Sequence, residues 1–430
     1  MQNRSVLLLA AFMLTAASLT ASVIGANTPA LPLTAERIAA LPHDQRAKWN
    51  DYLSRSLRQK EADRAFLAAE LKKAGLAGPL IPPKGQSARS VPLDRPAHWY
   101  GGAEARRIAD IVVSFQTPAG GWSKNLNLAD HVRKPGEDFA TDNRSRFLGK
   151  DDFDAPEDPS WSYVGTLDND ATHTELKFLA KIIAALSPKE CVTYRASFLK
   201  GLDYLFAAQF PNGGWPQVWP LDGGYHDAIT FNDDAVTGAL EVLEGVAEGN
   251  IPFVPVGIRA RARASVTLGI ECILATQILE NGQRTVWAQQ HDPLTLKPVA
   301  GRNFEPPAQC SNESAGVVLF LMSLPHPSPA VAEAVRAAVA WFKKTALYDV
   351  AWQRGPQGAR LVPAKGEGPI WSRYNEIGTD RPIFADRDKS IHDRVEELSP
   401  ERQRGYGWYN DEPQKALDRY TQWSRVHPAR

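Results

Sequence analysis

The sequence predicts an all-α fold: a toroid of helical hairpins whose long loops gather at one end. Three observations carry this. Helical blocks alternate with loops of unusual length, one turn motif recurs after successive helices, and no series of period-two strands competes. The blocks run from Ala105 to Phe115, Thr172 to Leu186, Tyr194 to Gln209, Ala235 to Glu248, Val254 to Glu280, Ala315 to Leu324 and Pro329 to Thr345. In the second, Leu176, Leu179, Ile182, Ile183 and Leu186 fall on one helical face. The loops from Pro118 to Gly165, Pro211 to Asn232 and Tyr348 to Asp411 far exceed ordinary connections, and loops that long are usually functional.

The recurring motif is Gln116-Thr-Pro-Ala-Gly-Gly-Trp122, which returns as Gln209-Phe-Pro-Asn-Gly-Gly-Trp215. Its plain reading is a helix-ending turn: Pro stops the helix, Gly supplies positive φ, and Trp packs over the joint. Units of this kind stack into a ring.

The chain divides into three parts. Residues 1–26 read as a secretory signal peptide: Met1 and Arg4 at the start, an apolar run from Val6 to Leu19, then small residues around Gly25 and Ala26. Residues 27–95 form a helical extension, a hairpin over 33–75 broken near Pro42, followed by a Pro/Gly/Ser-rich linker from Gly78 to Pro96. Residues 96–430 hold the toroid. No later stretch reaches the length of a membrane span, so a secreted or periplasmic monomer is expected.

Composition narrows the function. Forty-nine Lys+Arg balance forty-nine Asp+Glu, which excludes a globally basic nucleic-acid binder. Twelve Trp and eleven Tyr offer flat amphipathic rings suited to sugars. Cys191, Cys272 and Cys310 are too few and too scattered for a disulfide framework or a CxxC metal site, although one pair could form. Neither a Walker motif, a GxGxxG fingerprint, HExxH nor a Ser-His-Asp order is present.

Two acidic clusters, Thr166-Leu-Asp-Asn-Asp-Ala-Thr172 and Phe231-Asn-Asp-Asp234, precede helices. Thr172 and Glu175 match a capping box, so Asp168, Asn169 and Asp170 read equally well as helix caps or as oxygen ligands for a hard cation. Arg302, Arg373, Arg381 and Arg387 lie among Gly, Pro and aromatics, where a guanidinium suits bidentate capture of carboxylates. Arg381 reads better as a structural ion pair, and Lys124 faces a bound anion in this arrangement.

Taken in series, eight segments resemble the pectate lyases of polysaccharide lyase family 10. Four are Gln116 to Asn125, Leu167 to Thr172, Gln209 to Gln217 and Thr230 to Asp233. The others are Trp287 to Pro293, Arg302 to Pro306, Asn312 to Gly316 and Arg373 to Thr379. They span about residues 100 to 410. Each alone is weak; the ordered set is specific. The resemblance implies an (α/α)3 toroid, Ca2+ dependence and β-elimination of polygalacturonate. Carried over residue by residue, Arg302 is the base and Asp168 a metal-linked catalytic carboxylate, with Asp233 a further metal ligand. Asn169, Arg373 and Arg387 contact uronate, joined by Lys124 and Thr172. An arginine base implies an alkaline optimum, with burial beside other cations expected to lower its pKa. A non-catalytic polyuronate-binding protein and a terpenoid-cyclase-like toroid are the alternatives; the second lacks a DxDD acid and leaves the arginines unexplained.

Overall fold

Three antiparallel helix pairs build the ring seen in the computed structural model, which describes residues 22–86, 90–149, 151–356 and 358–428. Ahead of the ring come α1 (Ala35–Ala39), α2 (His43–Ala74) and α3 (Ala103–Ser114). The pairs are α4 (His173–Ala185) with α5 (Val192–Ala208), α6 (Ala235–Ala247) with α7 (Val256–Thr276), and α8 (Ser311–Ser323) with α9 (Pro329–Thr345). After them, α10 (Pro400–Gly405) is short, and α11 (Glu412–Val426) covers α8 and α9.

Helices α4, α6 and α8 are the inner members. They neighbour one another in that order, and their apolar residues are buried nearly all round. Burial on every side removes the strong amphipathic contrast of a surface helix. This explains why the polar start Ser311-Asn-Glu-Ser314 disguised the first turn of α8, which begins four residues before the expected Ala315. Conversely, α7 stops at Thr276, and Leu279–Glu280 turns back against Gln283–Arg284 instead of continuing the helix.

The recurring turn behaves as a mechanical joint. The fully buried rings of Trp122 and Trp215 donate Nε1–H to the carbonyls of Val112 (2.7 Å) and Leu205 (2.8 Å) near the ends of α3 and α5. Two further tryptophans repeat the device beyond the sequence echo: Trp287 donates to Ile273 of α7 and Trp371 to Phe342 of α9, both at 2.7 Å. Gly213 sits at φ +94, where a Cβ would lie 2.0 Å from the Leu268 carbonyl oxygen. Only glycine fits there.

The N-terminal extension shares the core of the ring. Trp49 and Tyr52 of α2 pack on Phe210, and the Tyr52 hydroxyl donates to the Ala208 carbonyl at 3.0 Å. The expected hairpin is therefore one long helix, α2, preceded by the single turn of α1. Residues 1–21 lie outside the described residues. The reading that the fold excludes everything to residue 26 is corrected at its last four positions, because Val23–Ala26 is a strand. It pairs antiparallel with Ser390–His392, which pairs in turn with Phe384–Ala385. Its strand partners are more than 360 positions away, so no local signal announced it.

All three cysteines are free and buried. Among the described residues, no helix is long and apolar enough to cross a membrane.

The expected capping box does not form. Thr172 takes φ +68, and its hydroxyl donates to the Thr166 carbonyl (2.8 Å) and accepts the Trp122 N–H (2.9 Å), away from the α4 terminus. Glu175 is fully buried, and among the described residues neither carboxyl oxygen has a well-formed hydrogen bond. Burial raises its pKa to about 8. A carboxyl whose folded pKa is raised contributes stability that is complete below its unfolded value and lost as pH climbs through the folded value. Glu175→Gln is therefore expected to raise unfolding free energy by on the order of 1–3 kcal/mol near pH 9. The same substitution should change it little near pH 5. Urea unfolding at the two pH values checks this, and equal effects at both would contradict it.

Candidate active site

The N-terminal ends of α4, α6 and α8 meet at one end of the ring. Each of the first two is preceded by a tight turn, Asp168–Asp170 and Asn232–Asp234, and these turns pack together. Both turns contain left-handed residues: Asn169 (φ 52), Asp170 (φ 60), Asp233 (φ 49) and Asp234 (φ 56). Asn and Asp tolerate this region better than other side chains. The two sequence clusters thus fold alike, and a groove of about 360 Å³ opens over them.

Asp168 lies at the floor, buried. One carboxylate oxygen is paired with Lys124 Nζ, and the other accepts from Gln217 Nε2 at 3.1 Å. Burial works to raise its pKa, but the Lys124 charge and hydrogen bonds outweigh this and hold it at about 2. Asp233 interacts directly with Asp168 and is pushed the other way, well above the usual carboxylate range. Loss of water around its carboxyl is the main cause, followed by the Asp168 charge. Lys124 Nζ also sits 3.5 Å over the Tyr163 ring. The Tyr163 hydroxyl contacts that of Tyr225 at 3.1 Å and His226 Nε2 at 2.8 Å, and Tyr225 donates to Asp154, making one rigid wall.

Arg302 lines the same groove. Its Nε and Nη2 donate to Glu305 Oε1 at 3.0 and 2.7 Å, and Tyr406 donates to the same oxygen at 2.8 Å. The side chain of Arg302 is 39% exposed while that of Glu305 is 2% exposed, so the carboxylate anchors a guanidinium that faces the groove. Its Nη1 has no hydrogen-bond partner among the described residues. Arg387 stands beside it, bound to Glu401 at 2.8 and 3.2 Å and lying over Phe147 and Phe304 at 4.3 and 5.1 Å. Lys84, Arg144 and Arg146 extend the cationic rim, and Asn169 lies on it, donating to Asn125 at 3.1 Å.

Lys124, Asp168, Asn169, Asp233, Arg302 and Arg387 therefore converge on one groove, as the sequence suggested. Two residues do not. Thr172 is buried with its hydroxyl committed to backbone groups, so it shapes the turn and is not part of the groove lining. Arg373 lies behind the groove wall, ion-paired to buried Glu313, donating to Asn232 Oδ1 at 3.1 Å and lying 4.8 Å over the Tyr406 ring. It braces the Asn232–Asp234 turn. Arg381 pairs with Glu376 (3.2 Å) and Asp393 (3.6 Å), the structural role expected for it.

For the Arg302 pKa of the metal-free protein, burial acts in the expected lowering direction, but Glu305 and then Tyr406 overcome it and hold it well above the ordinary arginine value. Glu305, Gln217 and the Tyr163–Tyr225 wall were not found from sequence. Glu305 and Gln217 left a trace there, Glu305 three positions after Arg302 in a Pro-terminated turn and Gln217 at the end of the second Gly-Gly-Trp segment.

Among the described residues, no three His, Cys, Asp or Glu side chains gather to hold a metal unaided. The groove still offers a hard cation suitable oxygens: the Asp168 and Asp233 carboxyls, and Gln217 Oε1, a buried acceptor with no hydrogen-bond partner. Two like charges confined together are what a divalent ion relieves. The donor set fits, with the rest of the coordination left to water and an anionic ligand.

A groove of fixed cations around a confined carboxylate pair, at the loop end of an α/α ring, defines an enzyme of acidic polymers. The chain belongs to the pectic acid lyase family, whose model matches residues 116–417. It is a pectate lyase. Among solved structures it is similar to the family 10 polysaccharide lyase from Cellvibrio cellulosa, at 30% identity and TM-score 0.64. A point mutant of that enzyme in complex with trigalacturonic acid matches at 31% identity and TM-score 0.63. Each alignment covers 79% of this chain and 99% of the other. No curated protein matches the chain.

Proposed function

We propose that this pectate lyase cleaves α-1,4-linked polygalacturonate by calcium-dependent β-elimination after export, releasing 4,5-unsaturated oligogalacturonides. The carrying observation is the meeting of two features in one groove: a guanidinium pinned by Glu305, and the Asp168–Asp233 pair. Trigalacturonic acid bound by the similar Cellvibrio enzyme supports the substrate.

The proton to be removed lies on C5, alpha to a carboxylate, and is hardly acidic while that carboxylate carries its full charge. Calcium held by Asp168 and Asp233 would act as a Lewis acid toward that carboxylate. Arg302 in its neutral form takes the C5 proton. The C–H electron pair becomes the C4–C5 double bond, and the C4–O pair leaves with the glycosidic oxygen, which is protonated from water. Lys124 and Arg387 bind uronate carboxylates and hold the ring in register, and Asn169 hydrogen-bonds it from the rim. At about pH 10 an ordinary arginine is neutral in roughly one molecule per several hundred to several thousand. Glu305 makes that form rarer still, so activity should climb through the alkaline range.

Export rests on Met1, Arg4 and the Val6 to Leu19 run, with cleavage ahead of Val23 so that the first strand is kept.

Unsaturated uronide formed from polygalacturonate, followed by ultraviolet absorbance, tests the reading. Product should appear with calcium, vanish with chelator, return on calcium addition, and peak at alkaline pH. Binding of the polymer without product would identify a non-catalytic polyuronate-binding protein, and an acidic optimum would remove the arginine base.

A further inference from the structure

The turn that carries Arg302 is held from a part of the chain nearly three hundred residues away. Asn27 follows directly on the Val23–Ala26 strand and is 4% exposed. Its Nδ2 lies within hydrogen-bonding distance of three consecutive-turn carbonyls, those of Arg302 (3.3 Å), Asn303 (3.1 Å) and Glu305 (3.2 Å). Its backbone N–H donates to Lys389 O at 2.7 Å, and its Oδ1 accepts the Thr28 N–H at 3.1 Å. The amide is thus fixed in orientation, with its donors aimed at the turn. Asn303 links the same turn onward, donating to the Arg387 carbonyl (2.7 Å) and accepting the Phe153 N–H (2.9 Å). The strand, the Arg302 turn and the Arg387 loop therefore form one hydrogen-bonded assembly.

We propose that Asn27 is a positioning residue for Arg302: the N-terminal strand delivers a side-chain amide that fixes the backbone on which the groove-facing guanidinium is mounted. The inference rests on the role given to Arg302 above. A turn whose carbonyls point at one rigid donor cannot swing, and proton abstraction tolerates little misplacement: an error of about 1 Å can cost on the order of 100-fold. Alanine at position 27 removes all donors. Aspartate keeps the size but offers only acceptors to three carbonyl oxygens.

The test uses the full mature chain starting at Ser22. Asn27→Ala and Asn27→Asp should each lower kcat on polygalacturonate by on the order of 10- to 100-fold. Trigalacturonate affinity by calorimetry should change less than about 3-fold, since Lys124 and Arg387 remain. Hydrogen exchange should quicken at the backbone amides of residues 300–305 and stay unchanged in α4 and α6. Wild-type kcat in both variants overturns the proposal. So does a loss matched by an equal fall in folded fraction, measured by circular dichroism. If either variant fails to fold, a chain starting at Thr28 supplies the same comparison, and wild-type kcat in that chain overturns it equally. The role of Arg302 is judged separately: an active Arg302→Ala enzyme refutes the base, whereas an inactive one with unaffected Asn27 variants refutes only the positioning.

Discussion

Arg302→Ala is expected to abolish release of unsaturated product while the protein remains folded. A general base is typically worth 10²–10⁴-fold in rate, so the loss of kcat/KM should be at least about that large. The fold should survive because the side chain stands 39% exposed at the groove edge and contributes nothing to the apolar core. Removing it does leave Glu305 buried with only the Tyr406 hydroxyl and the backbone N–H of residue 302 as donors. Arg302→Lys separates the two effects. Lysine restores a cation beside Glu305 and hence stability, but it cannot reproduce the planar fork, so activity should stay low. Steady-state kinetics with urea unfolding on both variants checks this, and undiminished product from either removes Arg302 from the reaction.

Asp168→Asn should be nearly as damaging, by on the order of 10²–10³-fold in kcat. The substitution removes the counter-charge of Lys124 and one of the two carboxyls offered to calcium, so the calcium concentration for half-maximal activity should also rise. An independent readout needs no substrate. Because the Asp168 charge helps to raise the Asp233 pKa, neutralising it should bring the Asp233 titration down toward the usual carboxylate range. Carboxyl-carbon NMR titration would register the shift, and an unmoved Asp233 would mean that the two groups are not coupled.

Much of the ring could be read directly from residues. The stripe from Leu176 to Leu186 marked a helix, and the Gly-Gly-Trp turns marked the joints, because both depend on contacts local in sequence. The groove was legible where residue type carried the message: Lys124, Asp168, Asp233, Arg302 and Arg387 all reach it. Failures came where a local pattern had a second use. Thr172 and Glu175 satisfy the capping box on paper, but a left-handed Thr172 turns its hydroxyl toward Thr166 and the Trp122 amide. The partner of Arg373 could not be read either, because Glu313 lies sixty positions earlier. Asn27 was hidden for the same reason, its partners lying at the far end of the chain.

The four indole rings that tie turns to the ends of α3, α5, α7 and α9 have an evolutionary consequence. Each of these helices is fastened by its own tryptophan, so the segment beyond one fastening can lengthen, shorten or be exchanged without loosening its neighbours. Such a framework lets natural variation, or a designer grafting loops between homologues, redraw preference for chain length or ester content while the scaffold beneath stays interchangeable.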